Sequence, residues 1–543
     1  MTATASSRPN LHVAPTASNH PPRPGLVARI AQRLPADWRR RSTSLPGALA
    51  PPVEPGTPTP RIAIIGSGFG GIGLACRLRQ AGIETFTVYE KADRLGGTWR
   101  DNTYPGAACD VPSHLYSLSF APKLDWTRRF PSQPEILGYL DGVADEFQLA
   151  PHLRFGAEVT EVTFVEEDPD GHWLLRFADG TTEEADVVVA ATGQLNRPYI
   201  PPFEGFDTFE GHSFHSARWD HDHDLTGRDV AVVGIGASAI QFVPEIVKEA
   251  RSVTLFQRSV NYVAPKPDGP FSPRTLGLFG RLPVLAKLYR ASIWARFEAR
   301  WIWFRKGSKS AGWVANVYRK KLEPAATEAL PVEALVPDYP LGCKRILISN
   351  DWYPAIFQPH VEVVNHAVER FEPNGVRAGG KLYEADTVIF GTGFQSTGFL
   401  APMKVTGRGG ADLHEAWRDG AEAHLGLTVT GFPNLFVLYG PNTNLGHNSI
   451  IFMLERQIGY VLSCVRRLTE GGAATLEVRP DAQAASNERL RRELARTVWD
   501  EGCHSWYKTE SGRITNNWSG PTYRYWLRTA VPRWKDFTET ARR

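Results

Sequence analysis

Two short glycine-rich stretches place backbone where phosphates bind. The first, Gly66-Ser67-Gly68-Phe69-Gly70-Gly71, matches G-x-G-x-x-G. The second, Gly234-Ile235-Gly236-Ala237-Ser238-Ala239, matches G-x-G-x-x-A. In such a stretch the first glycine makes a tight turn and the second lets backbone approach a pyrophosphate. The third position lets helix and strand pack closely. The helix that follows adds free N–H groups and a positive dipole end. About 20 residues further on, the end of the next strand reads the ribose. Glu90 stands there in the first unit and suits a ribose hydroxyl. Arg258, followed by Ser259, stands there in the second and suits a 2′-phosphate, so NADP is expected rather than NAD. Read alone, Arg258 is equally a solvated charge at a strand end. No Ser-His-Asp order, paired acid/base carboxylates or metal cluster emerges. The hard chemistry is therefore expected of a bound redox cofactor.

The surrounding patterns supply what must hold those turns. Ile62-Ala63-Ile64-Ile65 reads as a buried strand, Ile72, Leu74, Ala75 and Leu78 as a helix face, and Phe86–Tyr89 as the second strand. Asp229–Val233 and Ser252–Phe256 repeat the arrangement around the second turn. A buried strand ending in Thr192-Gly193 is echoed at 385–394, ending in Thr392-Gly393, and the second unit lies between the copies. The expectation is an α/β fold of two nested dinucleotide-binding (Rossmann-like) domains. Residues 1–59 are a disordered extension and 60–200 the first part of an FAD domain. Residues 201–384 form an NADP domain with a helical insertion at about 270–335. From 385 to 543 the chain returns to the FAD domain and runs to its C-terminal segment. FAD belongs to the first unit and NADP(H) to the second, with the flavin where both meet at the carboxyl ends of the strands. Elsewhere the patterns predict an ordered loop over 95–110, a helix over 133–146 and antiparallel strands over 159–177. They also predict a buried strand over 431–440, a polar turn and a helix over 450–468. The aromatic and basic stretch 282–322 reads as a helical subdomain over a cleft, with an interfacial membrane helix as the alternative.

Composition narrows the setting. A chain of 543 residues, 42% apolar, predicts more than one domain. A net charge of +3 gives no reason to invoke nucleic acid. Five cysteines without C-x-x-C spacing argue against a disulfide framework or zinc site and favour a reducing, cytoplasmic interior. No apolar run reaches the length of a spanning helix. Residues 1–60 are rich in Pro, Ala, Ser and Thr, with one short helix expected near 26–34 and a basic patch at Trp38-Arg39-Arg40-Arg41. Their prolines argue against a transit peptide.

Residues 209–220 match F-x-G-x-x-x-H-x-x-x-W-[P/D] at Phe209, Gly211, His215, Trp219 and Asp220. A second signature runs from Gly96-Gly97-Thr98-Trp99 through Tyr104-Pro105-Gly106 to Asp110. Over roughly residues 60–530 the chain resembles the type I Baeyer–Villiger monooxygenases. The resemblance implies an FAD enzyme that uses NADPH and O2 to convert a ketone into an ester or lactone through a flavin C4a-peroxide. It implies that Lys344 reaches the 2′-phosphate and that Arg345 faces the flavin, with Asp110 positioning the arginine. A fixed positive charge there favours the peroxide anion, and arginine keeps its proton where lysine does not. Without the resemblance, Lys344-Arg345 reads as a surface basic pair and Asp110 as a turn residue. Tyr116 matches a flavin-contacting tyrosine; Gly97, Thr98, Trp99 and Val159 are expected at the cofactor too. His215 is expected to tie linker motion to NADP rather than touch substrate. The turn at 440–449 resembles the hydroxyacetophenone monooxygenase branch, which points to aryl alkyl or bulky polycyclic ketones. The runner-up is a sulfide or amine oxygenase, whose relatives carry Tyr or Phe where Trp219 stands. A disulfide reductase shares the architecture but needs a redox C-x-x-C.

Overall fold

The computed structural model describes residues 52–542 apart from 55, 167–169, 329, 503 and 504. The helix expected near 26–34 and the basic patch at 38–41 lie outside the described residues. Two five-stranded, all-parallel sheets carry the fold. In the first, Leu435–Val437, Val187–Ala190, Ile62–Ile65, Phe86–Tyr89 and Leu153–Arg154 lie side by side. Ile62–Ile65 and Val187–Ala190 are buried at every residue. Parallel strands covered on both faces read in sequence as continuous apolar runs, which is why these were visible. One face packs on helices Phe69–Gln80, Gln133–Glu146 and Ile450–Glu470. The other packs on a smaller sheet containing Val159–Val165, His172–Phe177, Thr182–Ala185 and Lys404–Thr406, where Trp173 is fully buried.

The second sheet holds His212–His215, Thr387–Phe390, Asp229–Val233, Ser252–Phe256 and Val361–Val364, in that order. Two expectations are corrected here. The echo strand does not return the chain to the first domain at 385. Thr387–Phe390 pairs with Asp229–Val233, as Val187–Ala190 pairs with Ile62–Ile65, so each copy closes its own sheet. The chain rejoins the first domain only at Lys404–Thr406 and Leu435–Val437. The fingerprint stretch is likewise no free linker, since His212–His215 is the edge strand of the second sheet.

The insertion is helical as expected: Pro273–Arg281, Pro283–Ala299 and Lys309–Leu322, with a 3-10 turn at Arg300–Phe304. It packs on the first domain through Ile293 and Trp294, the latter stacked 5.8 Å from Phe452. No helix among the described residues is long and apolar enough to cross a membrane. The cysteine expectation needs one amendment. Cys76, Cys109 and Cys464 are buried free thiols, but Cys343 is disulfide-bonded.

Candidate active site

A cleft of about 590 Å³ opens at the carboxyl ends of the first sheet. Gly66, Gly68, Phe69, Glu90, Gly97, Thr98, Trp99, Tyr116 and Val159 all line it, whereas Gly71 and Asp110 do not. Its floor is the first glycine turn. Gly66 has φ +106°, and a Cβ there would lie 2.7 Å from the Ala191 carbonyl. A Cβ on Gly71 would lie 1.9 Å from the Gly66 carbonyl, so helix and strand meet at a distance only glycine allows. Glu90 is 5% exposed. Its carboxylate accepts the Ser67 N–H (3.0 Å), the Ser67 hydroxyl (2.8 Å) and the Ala92 N–H (3.1 Å), and pairs with Arg100 at 3.0 Å. Burial pushes this carboxyl up, but these donors and Arg100 together hold it below the usual range. Phe69, Trp99 and Tyr116 form an aromatic wall. Phe69 and Tyr116 meet edge-on at 5.2 Å, and the Trp99 indole N–H donates to the Tyr116 hydroxyl at 3.1 Å. This cradle of bare backbone, an aromatic wall and a held carboxylate fits an FAD.

The second turn repeats the first. Gly234 has φ +95°, and a Cβ there would lie 2.7 Å from the Gly391 carbonyl. Gly236, Ala237, Ser238 and Ala239 carry the chain into helix Ala239–Ile246. The Lys344 ammonium donates to the Ser259 hydroxyl at 2.5 Å. Burial pushes its pKa down and nearby Arg258 pushes the same way, with Asp338 opposing. A lysine beside a hydroxyl, within electrostatic reach of an arginine, fits a phosphate.

Adjacent residues therefore face different units. Lys344 turns to Ser259, while Arg345 turns to Asp110, whose carboxylate accepts from Nε at 2.9 Å and also from Nη2. Asp110 holds Arg345 above its usual pKa, against the cost of burial. Protein surrounds Arg345, yet 31% of its side chain remains accessible; neither it nor Asp110 is among the residues that line the cleft. The 104–110 signature docks on the second unit. The Tyr104 hydroxyl donates to the Gln241 side chain at 2.9 Å, which donates to the Ala108 carbonyl at 2.9 Å. A Cβ on Gly106 would lie 2.6 Å from the Gln241 carbonyl.

The fingerprint residues are absent from the cleft lining and brace the second sheet. Phe209 packs on Phe371 (5.9 Å), and Trp219 on Phe214 (5.1 Å) and Phe242 (5.3 Å). A Cβ on Gly211 would lie 2.5 Å from the Asp386 carbonyl. Asp220 meets His212 at 2.9 Å. His215 is buried, its Nδ1 accepting the Ala217 N–H at 3.1 Å, with its ring 5.7 Å from Phe394 beside the second Thr-Gly turn. Burial lowers its pKa to about 4. Sequence reasoning missed Tyr439 and Tyr507. Tyr439 lines the cleft at φ +57°, its N–H held by Gln457 (2.8 Å) and its hydroxyl donating to Asn444 (2.6 Å). Tyr507 is fully buried, and both phenols feel the charges of Arg345 and Asp110. A bulky side chain at positive φ leaves no mark in an apolar run such as Phe436-Val437-Leu438-Tyr439.

Two nested dinucleotide units with one arginine at their junction define a two-cofactor flavoprotein oxidoreductase. Residues 63–281 match the family described as pyridine nucleotide-disulphide oxidoreductase. The chain is 46% identical over 465 residues to a Baeyer-Villiger monooxygenase of Streptomyces coelicolor, covering 85% of this chain and 89% of the relative. It is similar to an oxidized steroid monooxygenase bound to NADP, with TM-score 0.79 at 30% identity, covering 89% of this chain and 100% of that one. It is also similar to the OTEMO complex with FAD and NADP, with TM-score 0.80 at 27% identity and the same coverage. The chain belongs to the Baeyer–Villiger monooxygenases. It is an FAD- and NADPH-dependent enzyme that uses O2 to convert a ketone into an ester or lactone.

Proposed function

We propose that Arg345 is the catalytic cation and that Asp110 positions it. The observation that carries this is the opposite facing of Lys344 and Arg345. FAD, held by the first unit, would supply the redox and oxygen-transfer chemistry, drawing on NADPH and O2. Arg345 holds a fixed positive charge at the junction of the two units and stabilises negative charge as it develops on the reacting oxygen atoms. Asp110 keeps the guanidinium aimed and its proton in place. Arg258, Ser259 and Lys344 hold the 2′-phosphate and so set the preference for NADPH. Glu90 takes a ribose hydroxyl of FAD. His215, neutral at working pH, couples the edge strand of the second sheet to the Thr392-Gly393 turn. The enzyme works in the cytoplasm, where NADPH is supplied.

The substrate is a bulky ketone, aryl alkyl or polycyclic. The polar turn 440–449 supports this, as does the similarity to a steroid monooxygenase. Product analysis by mass spectrometry with aryl, cyclic and steroidal ketones, and with sulfides, tests the reading. Esters from Arg345→Ala at near wild-type yield would remove the catalytic assignment. Sulfoxides without esters from the wild type would favour the sulfide-oxygenating alternative.

A further inference from the structure

The two helices that open the insertion bury one face and leave an apolar one outward. Inward, Phe279 is buried 5.1 Å from the His114 ring and 5.7 Å from Tyr289. Ile293 is buried as well, and Arg290 donates to the His114 (2.6 Å) and Ser117 (2.8 Å) carbonyls. Outward, Leu278, Leu282, Val284 and Leu288 are 45%, 50%, 51% and 60% exposed. Ala291, Ala295 and Ala299 continue that stripe along the second helix at three- and four-residue spacing, all exposed. A surface helix ordinarily turns polar residues outward. Single exposed leucines need no explanation, but four large aliphatics at one helical corner do. Arg274, Arg281 and Arg296 are exposed around them, with Lys287 half-buried. Between Asp268 and Glu298 the chain has no acidic residue. An acidic protein would answer the cations and leave the aliphatic corner in water. A lipid surface answers both, taking aliphatics at the acyl boundary and cations at anionic headgroups.

We propose that the hairpin 273–299 docks this enzyme on anionic lipid surfaces. Its inner side rests on residues 114–117, and Tyr116 lines the cofactor cleft. Docking thus brings the cleft close to the phase in which an apolar ketone dissolves; this consequence alone rests on the substrate reading above. The test is flotation of the full-length, FAD-loaded protein with vesicles of phosphatidylglycerol and phosphatidylcholine, against phosphatidylcholine alone. The wild type should float with the anionic vesicles and release at high salt. Leu282→Glu/Leu288→Glu, and separately Arg274→Glu/Arg281→Glu, should each cut the bound fraction by about tenfold or more. Both should keep their flavin content and their turnover of a water-soluble ketone. Absence of wild-type flotation, or equal flotation of wild type and both variants, would overturn the proposal. So would a concentration-dependent dimer that Leu282→Glu/Leu288→Glu dissociates, since a second copy would then cover the corner.

Discussion

The two dinucleotide units share one frame and differ at its two ends. In both, the first glycine sits at positive φ against the carbonyl of an echo strand, at the same 2.7 Å that a Cβ would have to occupy. At the helix end, the first unit has Gly71 where the second has Ala239. The second also carries Gly391 where the first has Ala191; a Cβ on Gly391 would lie 2.9 Å from the Gly234 carbonyl. At the strand end, the first unit has a carboxylate already satisfied by Ser67, Ala92 and Arg100. The second has Lys344, whose charge is disfavoured by burial and by Arg258. The frame sets where a pyrophosphate lies, and the strand end sets which ribose it accepts. The first carboxylate is charge-balanced by Arg100, which suits the unphosphorylated ribose of FAD. The second leaves positive charge for a ligand that arrives with its own phosphate.

The largest effect should come from forcing the first unit to resemble the second. Gly71→Ala puts a Cβ 1.9 Å from a backbone carbonyl that no side-chain rotation relieves. The cost should be on the order of 3 kcal/mol or more. The protein should purify without flavin, or with a melting temperature lowered by many degrees. Gly391→Ala meets the Gly234 carbonyl at 2.9 Å and should keep FAD while weakening NADPH. Equal flavin content together with an unchanged melting temperature in Gly71→Ala would refute the difference in helix packing.

Next in size is the junction between the units. Arg345→Ala should lose about 10²–10³ in ester formation, the usual cost of one preorganised electrostatic donor. Reduction of the flavin by NADPH should continue, with the consumed NADPH appearing as hydrogen peroxide. Arg345→Lys should not restore full rate, because a point charge cannot hold Asp110 through a planar fork. Asp110→Ala should show a milder form of the same uncoupling. Rapid-mixing absorbance separates flavin reduction from product formation, and parallel loss of both would make Arg345 a structural residue.

Much of this was legible in the chain, for reasons that differ by residue. Ile62–Ile65, the glycine turns and helix Gln133–Glu146 announce themselves because local pattern and burial agree. Both echo strands were visible, but the sheet of Thr387–Phe390 was not, since strand partners are chosen by tertiary packing. Without the family resemblance, Lys344-Arg345 reads as a surface pair; the residues alone do not show that consecutive side chains reach opposite units. Tyr439 was hidden because its positive φ is held by Gln457, 18 residues on, and by no local turn signal. The outward apolar face at 278–288 was blurred by the mixing of aromatic and basic residues along 282–322.

Removing the charge that distinguishes the second strand end should have a smaller effect. Arg258→Ala should raise the NADPH KM by about 10- to 100-fold, given 1.5–3 kcal/mol for a hydrogen bond to a charged group and tenfold per 1.4 kcal/mol. NADH lacks the 2′-phosphate, so its KM should barely move. Equal loss with both would make Arg258 a support of the fold.

The smallest effect should be a pH dependence confined to the same site. Lys344 binds a phosphate only while protonated. Burial, then Arg258, lowers its pKa from the ordinary lysine value. Its charge is therefore lost, as pH rises, through a midpoint below that of a free lysine. The NADPH KM should climb in the alkaline range as Lys344 loses its proton, and at a lower pH than a free lysine would require. The NADH KM should not follow it. Lys344→Arg should flatten the NADPH profile, since arginine stays protonated throughout that range. A climb shared by NADPH and NADH would assign the titration to another group. A flat NADPH profile in the wild type would mean that bound 2′-phosphate restores the Lys344 proton, leaving Arg258 to carry the discrimination between the two nucleotides.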